Sequence, residues 1–203
     1  SELYRTLSQT KDYYDIYRFN TWSIDEQGSI TGIHPPHPDH ESWEEYVYCM
    51  LKGWRISPLQ GLIFSRKAYE RIGGFLDLPA GWGSDEAIQI ALSGKKGIAL
   101  ISGAKVRFRR SGDNISSQVH SRSQLRARVI AQLSLLKWIM ERIDERRSND
   151  VPFNNDVLRN VAKQYFRAVL PEIMRVGNLI LLINSFRFAR EAWHDSYGKL
   201  TLT

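Results

Sequence analysis

The sequence predicts a mixed α/β fold of the α+β type that is followed by an α-helical region. Up to residue 117, aromatic and β-branched runs alternate with turn residues, which is the pattern of strands and short helices. From residue 118 onwards the apolar residues recur at the helical period. The chain has 203 residues, of which 42% are hydrophobic and 11% aromatic, so it is able to bury a core. We expect an α/β portion over residues 1–117 and a helical region over residues 118–203.

The first predicted element is a β-hairpin. Residues 13–24 are rich in aromatic and β-branched side chains, residues 25–29 (DEQGS) supply a turn, and residues 30–33 resume the extended pattern. The next segment, HPPHPDH, holds three histidines that invite a zinc interpretation: His34, His37 and His40. Its three prolines favour an extended surface loop instead.

A helix and a strand–helix unit follow. Ser42 and Glu45 form a capping box that opens a helix over residues 42–51. Residues 59–64 predict an apolar strand, after which Ser65 caps a second helix. Two consecutive glycines, Gly73 and Gly74, are suited to end that helix with positive φ.

A loop over residues 77–84 then leads to a carboxylate pair. Asp85 and Glu86 stand at the start of a predicted helix, close in sequence to Trp82. Acidic residues at this place also favour the helix dipole, with no catalytic role. Beyond the helix, residues 98–101 and 105–110 predict strands, the second with one face exposed to water.

This part of the chain resembles the acceptor-side half of family 2 nucleotide-sugar glycosyltransferases of the A-type fold. The features are Gly73-Gly74-Phe75, a variable loop, an acidic pair opening a helix, and the segment FRRSGDNISS at residues 108–117. The resemblance covers roughly residues 12–117. It implies an inverting transfer of a sugar from a nucleotide-sugar donor to a saccharide or lipid-linked acceptor, in the synthesis of bacterial surface polysaccharides.

The resemblance assigns roles to individual residues. Asp85 matches the general base, and Ser84 stands where relatives more often have Glu. Glu86 is expected to contact the acceptor and to tune Asp85, because neighbouring carboxylates raise one another's pKa. Trp82 is expected to stack on the acceptor sugar, with packing as the alternative.

The same resemblance places three residues near the donor diphosphate: Arg109, Arg110 and Ser111. Ser111 replaces a histidine that is often a metal ligand in these enzymes. A divalent metal, Mg²⁺ or Mn²⁺, is expected only in a full-length enzyme, since no Asp-x-Asp motif occurs in these 203 residues. We therefore expect the chain to be the C-terminal portion of a longer enzyme that lacks its donor-binding half and to be inactive alone.

The C-terminal region predicts three helices. The first carries an apolar stripe from Leu125 to Met140, the second spans residues 155–170 and is stopped by Pro171, and the third covers roughly residues 172–193. Positive charge concentrates here: residues 105–203 have a net charge of +9, whereas residues 1–104 have −3. We expect an acidic partner such as an anionic membrane surface, or else simply a solvated basic surface.

The alternative to an enzyme is a non-enzymatic α/β interaction module whose basic helical tail docks on a membrane or an acidic protein. No nucleic-acid-binding motif is evident, so nucleic acid is not an expected partner. The single cysteine, Cys49, excludes an intrachain disulfide and is typical of a reducing compartment. We expect a cytoplasmic protein that associates peripherally with the inner face of the membrane.

Overall fold

The architecture comes from a computed structural model that describes residues 2–10, 13–56, 58–111, 121–146 and 153–193. These residues form two compact units. The sheet unit lies within residues 1–77 and 83–118, and the helical unit lies within residues 78–82 and 119–203. The α+β class expected from the sequence is confirmed, because a mixed sheet precedes a series of helices.

Two long strands form the centre of the sheet unit. They are β1 (Ile16–Ile24) and β5 (Ile98–Arg109), which pair in parallel. Three short strands complete the sheet: β2 (Ile30–Ile33), β3 (His40–Glu41) and β4 (Leu62–Phe64). β2 and β4 both pair antiparallel with β1, and β3 pairs antiparallel with β5. β5 lies along one edge of β1, and the opposite edge of β1 is shared by β4 and β2.

The described part of the sheet unit has four α-helices: α1 (Glu2–Thr10), α2 (Trp43–Leu51), α3 (Arg66–Arg71) and α4 (Ser84–Ser93). The predicted capping box is confirmed, since the Glu45 amide donates to Ser42 Oγ and the Ser42 amide donates to the Glu45 carboxylate. Ser65 caps α3 through the Ala68 amide. The two glycines after α3 have φ of +82° and +88°, which side chains rarely adopt.

Three elements of the sheet unit differ from expectation. The sequence analysis missed α1, which is polar apart from Leu3 and Leu7; these pack on a cluster that contains Tyr17 of β1. Residues 59–61 form a short 3-10 turn, so β4 begins only at Leu62. The two strands predicted at 98–101 and 105–110 are one strand, with residues 101–104 bulging from the ladder that β5 forms with β1.

The helical unit contains α5 (Arg122–Glu145), α6 (Asn155–Val176), α7 (Leu179–Trp193) and a 3-10 turn at Pro79–Gly81. Its core is made of apolar residues from α5 and α6, including Leu136, Ile139, Leu158 and Phe166. In α7, the ring of Phe188 packs edge to face against Phe166 and Trp193, and Trp193 is tilted against Phe166. From residue 121 onwards, every described secondary-structure element is a helix.

The predicted stop at Pro171 was wrong. The helix continues through Pro171 because Val169, Ile173 and Val176 extend its buried stripe on both sides of the proline. Arg167, whose carbonyl loses its helical donor, lies on the exposed side, where water can replace that hydrogen bond. The helix ends instead at Gly177, with φ +65°, and the Asn178 side chain accepts from the Leu181 amide. The third helix therefore begins at Leu179 and not at residue 172.

Candidate active site

The carboxylate pair lies in the first turn of α4. Gly83 precedes the helix with φ +85° and accepts from the Ala87 amide through its carbonyl oxygen at 2.9 Å. Ser84 Oγ donates to the Leu76 carbonyl oxygen at 3.1 Å and so ties the helix start to the loop before it. The side chain of Ser84, which stands where the resembled enzymes more often carry Glu, therefore bonds to the backbone of the preceding loop.

Asp85 is partly buried and receives one hydrogen bond from outside its helix. The Leu59 amide donates to Asp85 Oδ2 at 3.3 Å. Burial raises the pKa of Asp85, and the bonds from the amides of Leu59 and of Asp85 itself oppose that rise only in part. The result is a carboxylate that holds a proton more strongly than an ordinary aspartate, which suits a general base.

Glu86 is the second carboxylate of the pair. Its pKa is raised first by burial and, to a lesser extent, by the negative charge of Asp85. Tyr46 of α2 is wholly buried, and burial is the main reason why its pKa is raised. The negative charges of Glu86 and, to a smaller extent, Asp85 raise it further. The turn therefore brings together three of the predicted site residues, Ser84, Asp85 and Glu86, close enough to influence the wholly buried Tyr46, which was not among the predicted site residues.

An ionic triad of two buried residues and one partly buried residue lies next to this tyrosine. Arg18 of β1 is completely buried, and its Nη2 is 2.6 Å from Glu41 Oε2 of β3. Arg55 donates from Nε to Glu41 Oε1 at 2.7 Å. The Arg18 guanidinium lies 5.9 Å from the centre of the Tyr46 ring. No sequence pattern predicts this triad, because its members are 23 and 14 residues apart and meet only through the sheet.

His37 extends the same polar region. Its backbone amide donates to Asn20 Oδ1 at 2.8 Å, and its side chain is 6% exposed. Burial, together with the positive charges of Arg18 and Arg55, lowers the pKa of His37 to about 3. Within the described part of the chain, His37 Nδ1 and Arg18 Nε and Nη1 are buried and have no hydrogen-bond partner.

The three histidines do not converge. His34 Nε2 lies 2.9 Å from Ser23 Oγ, and His40 Nδ1 lies 3.3 Å from the Tyr14 hydroxyl. The loop from residue 34 to 39 is largely exposed, as predicted, but His37 is buried in it, contrary to the expected surface location. Among the described residues, no group of three or more His, Cys, Asp or Glu side chains is placed to hold a metal ion.

The two arginines predicted near the diphosphate have different surroundings. Arg109 Nη1 donates to the carbonyl oxygens of Asp25 and Glu26 and so holds the β1–β2 turn. Arg110 lines a cavity of about 370 Å³. The other lining residues are Ser23, Asp25, Thr31, Gly32 and His34.

The charges at this cavity influence the pKa values of neighbouring groups. The pKa of His34 is lowered by burial and by Arg110, and His34 in turn helps to lower the pKa of His37. The positive charge of Arg18 also lowers the pKa of His37, and Arg18 and Glu86 both influence the pKa of Tyr46. These charges therefore influence one another within the sheet unit. Ser111 is half-buried at the end of the described segment, and residues 112–117 of the matched motif lie outside the described residues.

Trp82 belongs to the helical unit and not to the sheet unit that holds Asp85. It follows the 3-10 turn, and its ring centre is 5.7 Å from the Arg128 guanidinium, which also forms an ion pair with Glu172. This contact favours the packing alternative for Trp82. The stacking role on an acceptor sugar stays a prediction.

Comparisons with known proteins add no relative: no protein-family model, curated protein or solved structure matches this chain. Among the described helices, none combines the length and the apolar character needed to cross a bilayer.

Proposed function

We propose that this chain is the acceptor-side portion of an inverting glycosyltransferase, with Asp85 as the general base. The observation that carries the proposal is the raised pKa of a partly buried aspartate at the start of α4, beside a second carboxylate and a buried tyrosine. Perturbed carboxylates of this kind concentrate at catalytic sites. The sequence features around Asp85 supply the reaction class.

In the proposed reaction, Asp85 removes the proton from an acceptor hydroxyl. The resulting oxygen attacks the anomeric carbon of a nucleotide sugar, forming the new glycosidic bond. The bond from that carbon to the diphosphate oxygen breaks at the same time, and the nucleoside diphosphate leaves with the electron pair. A single displacement of this kind inverts the anomeric centre.

Arg110 supplies the positive charge for the leaving diphosphate, in a cavity that the carboxylate of Asp25 also lines. Arg110 is exposed, and the guanidinium geometry matches phosphate oxygens. Arg109 is committed to the carbonyl oxygens of the β1–β2 turn, so the proposal assigns diphosphate contact to Arg110 before Arg109. The divalent metal expected in a full-length enzyme finds no set of ligands among the described residues, and no step above goes through it.

The test is Asp85→Asn in the full-length enzyme, assayed for sugar transfer. The amide keeps the shape of the side chain and still accepts from the Leu59 amide, but it cannot take up a proton. We expect turnover to fall by about 10²- to 10⁴-fold, the usual contribution of a positioned base. Donor binding and the melting temperature should stay near wild type.

Asp77→Asn is the matched control, because Asp77 is an exposed aspartate in the loop before α4. It should retain full activity. The pH–rate profile gives a second readout: the base must be ionised, so activity falls as the pH drops through the raised pKa of Asp85, above its ordinary value of 3.8. Turnover of Asp85→Asn within tenfold of wild type would exclude Asp85 as the base.

The second candidate function is a non-enzymatic module that docks on a membrane or an acidic partner. The observation in its favour is an exposed apolar face on α7, and it is compatible with a catalytic sheet unit.

A further inference from the structure

The first two turns of α7 expose large apolar side chains. Leu179 and Ile180 are each 70% exposed, Ile183 is 49% exposed, and Phe186 is 54% exposed. At 100° per residue these four fall on one side of the helix, opposite the buried Ser185, while the buried Trp193 lies at the edge of that side, near the angle of Phe186. We call these four residues the α7 apolar row. A solvent-exposed row of this size is typical of an interaction surface.

Arginines lie at both ends of the α7 apolar row. Arg187 and Arg190 are exposed and lie within the angular range of the apolar row. At the start of the helix, Asn178 borders a cavity of about 470 Å³ that Arg122 and Arg126 of α5 also line. No carboxylate is among the residues lining that cavity, and none of these four arginines forms an ion pair within the described part of the helical unit.

The charges decide between two possible occupants of this surface. In a symmetric pair of chains the same patch meets itself, so the arginines around the two apolar rows would face one another. Like charges placed together across an interface oppose association. Glu191 is the only acidic residue on the exposed side of α7, and it cannot balance four arginines. The charge pattern therefore disfavours a second copy and fits an anionic surface.

We propose that the α7 apolar row and its four arginines (Arg122, Arg126, Arg187 and Arg190) bind the surface of an anionic phospholipid bilayer. The apolar row enters the boundary between headgroups and acyl chains, as the apolar faces of interfacial helices do. The arginines reach the phosphates from the two ends of the row, and the cavity at Asn178 accommodates one headgroup. The proposal does not rest on glycosyl transfer, because binding is measured without any activity.

The experiment is co-sedimentation of the chain with two kinds of vesicle. One kind is phosphatidylcholine alone, and the other contains about one third phosphatidylglycerol, a composition at which basic residues near the surface attract anionic lipid. We expect binding to the anionic vesicles only. It should weaken but persist at physiological salt, because salt screens the arginines and not the inserted apolar row.

Two pairs of variants separate the apolar and the ionic contributions. Ile183→Ser with Phe186→Ser should reduce the affinity for anionic vesicles about tenfold or more, since two large exposed apolar side chains are lost from the row. Arg122→Gln with Arg126→Gln should reduce it by about tenfold, since each arginine near such a surface contributes to binding. Both changes are at exposed positions, and circular dichroism checks that the helices are retained.

Matched controls come from the sheet unit. Ile33→Ser removes an apolar side chain that is 70% exposed there, and Lys67→Gln with Lys95→Gln removes two exposed positive charges. These variants should bind as wild type does. The proposal is overturned by an absence of binding even at low salt, by equal binding to neutral vesicles, by an α7 variant that binds normally, or by a dimer that Ile183→Ser dissociates.

Discussion

The two units of the chain bury different kinds of side chain. The sheet unit buries Arg18, Glu41 and His37 together with several hydroxyl and amide groups, whereas the only buried polar residue described in the helical unit is Ser185. A buried ion costs several kcal/mol in desolvation, and an apolar residue of the same volume would often be as stable in its place. The described core of the helical unit is thus almost entirely apolar, as expected where burial serves stability. In the sheet unit, ions are buried beside the proposed catalytic carboxylates.

The largest expected effect comes from breaking the ionic triad. Glu41→Gln should destabilise the sheet unit by about 3 to 5 kcal/mol, because it leaves Arg18 buried without a counter-charge. Urea unfolding, combined with hydrogen exchange of the β1 amides, measures the loss in this unit.

The matched control for that change is Glu70→Gln. Glu70 pairs with Arg66 on the surface of α3, where an ion pair contributes less than about 1 kcal/mol. If Glu41→Gln cost no more stability than this control, the triad would not stabilise the fold. The buried ions of the sheet unit would then contribute no more to stability than a surface ion pair does.

The second effect is a dependence of stability on pH that belongs to His37. Its pKa is about 3 in the folded chain against an ordinary 6.5, so the unfolded chain binds more protons between these values. The stability is complete above pH 6.5 and is lost as the pH falls towards 3. Between pH 6.5 and about 4.5 the loss is about 2 kcal/mol, because the slope rises towards 1.36 kcal/mol per pH unit only as the unfolded histidine becomes fully protonated.

His37→Leu should remove this part of the pH dependence, while the exposed His40→Leu should keep it. Unfolding free energies of the two variants and the wild type, measured at several pH values, test the expectation. If His37→Leu left the slope of unfolding free energy against pH unchanged, that slope would not come from His37. His37 would then take up its proton in the folded chain without unfolding the sheet unit.

The smallest effect concerns the helical unit. Pro171→Ala should stabilise α6 by about 1 to 2 kcal/mol: proline costs about 3 kcal/mol relative to alanine inside a helix, and its smaller unfolded-state entropy returns about 1 kcal/mol. The new amide would donate to the carbonyl of Arg167. Thermal unfolding measures the gain. A loss of stability would mean that the proline ring itself is needed for packing in this unit.

Local signals in the sequence predicted local structure well. The capping box at Ser42, the cap at Ser65, the glycine stop after α3 and the β1–β2 hairpin each depend on residues within a few positions of one another. The acidic opening of α4 was predicted in the same way. The helix end predicted at Pro171 was wrong because the sequence shows that proline lacks an amide hydrogen. It does not show that apolar residues on both sides of the proline are buried and stabilise a continuous helix.

The candidate site was predicted only in part, for a related reason. Asp85 and Glu86 are neighbours in sequence, but their pKa values depend on burial against distant residues, which no local pattern reveals. Arg18, Glu41 and Arg55 look like ordinary surface charges until the sheet brings them together. Even Arg109, the last residue of β5, and Arg110, which follows it, have different environments, which alternation along an extended chain predicts in general but not in detail.

The parallel pairing of β1 with β5 sets the timing of folding on the ribosome. Tyr17 and Ala99 are partners in the ladder but stand 82 residues apart in the chain. At about 5 to 20 residues per second, β5 is synthesised roughly 4 to 16 s after β1. During that interval β1, with its aromatic side chains, lacks its longest partner and presents unpaired amides and carbonyls to other nascent chains. The period in which this protein is most exposed to aggregation therefore falls within its own synthesis.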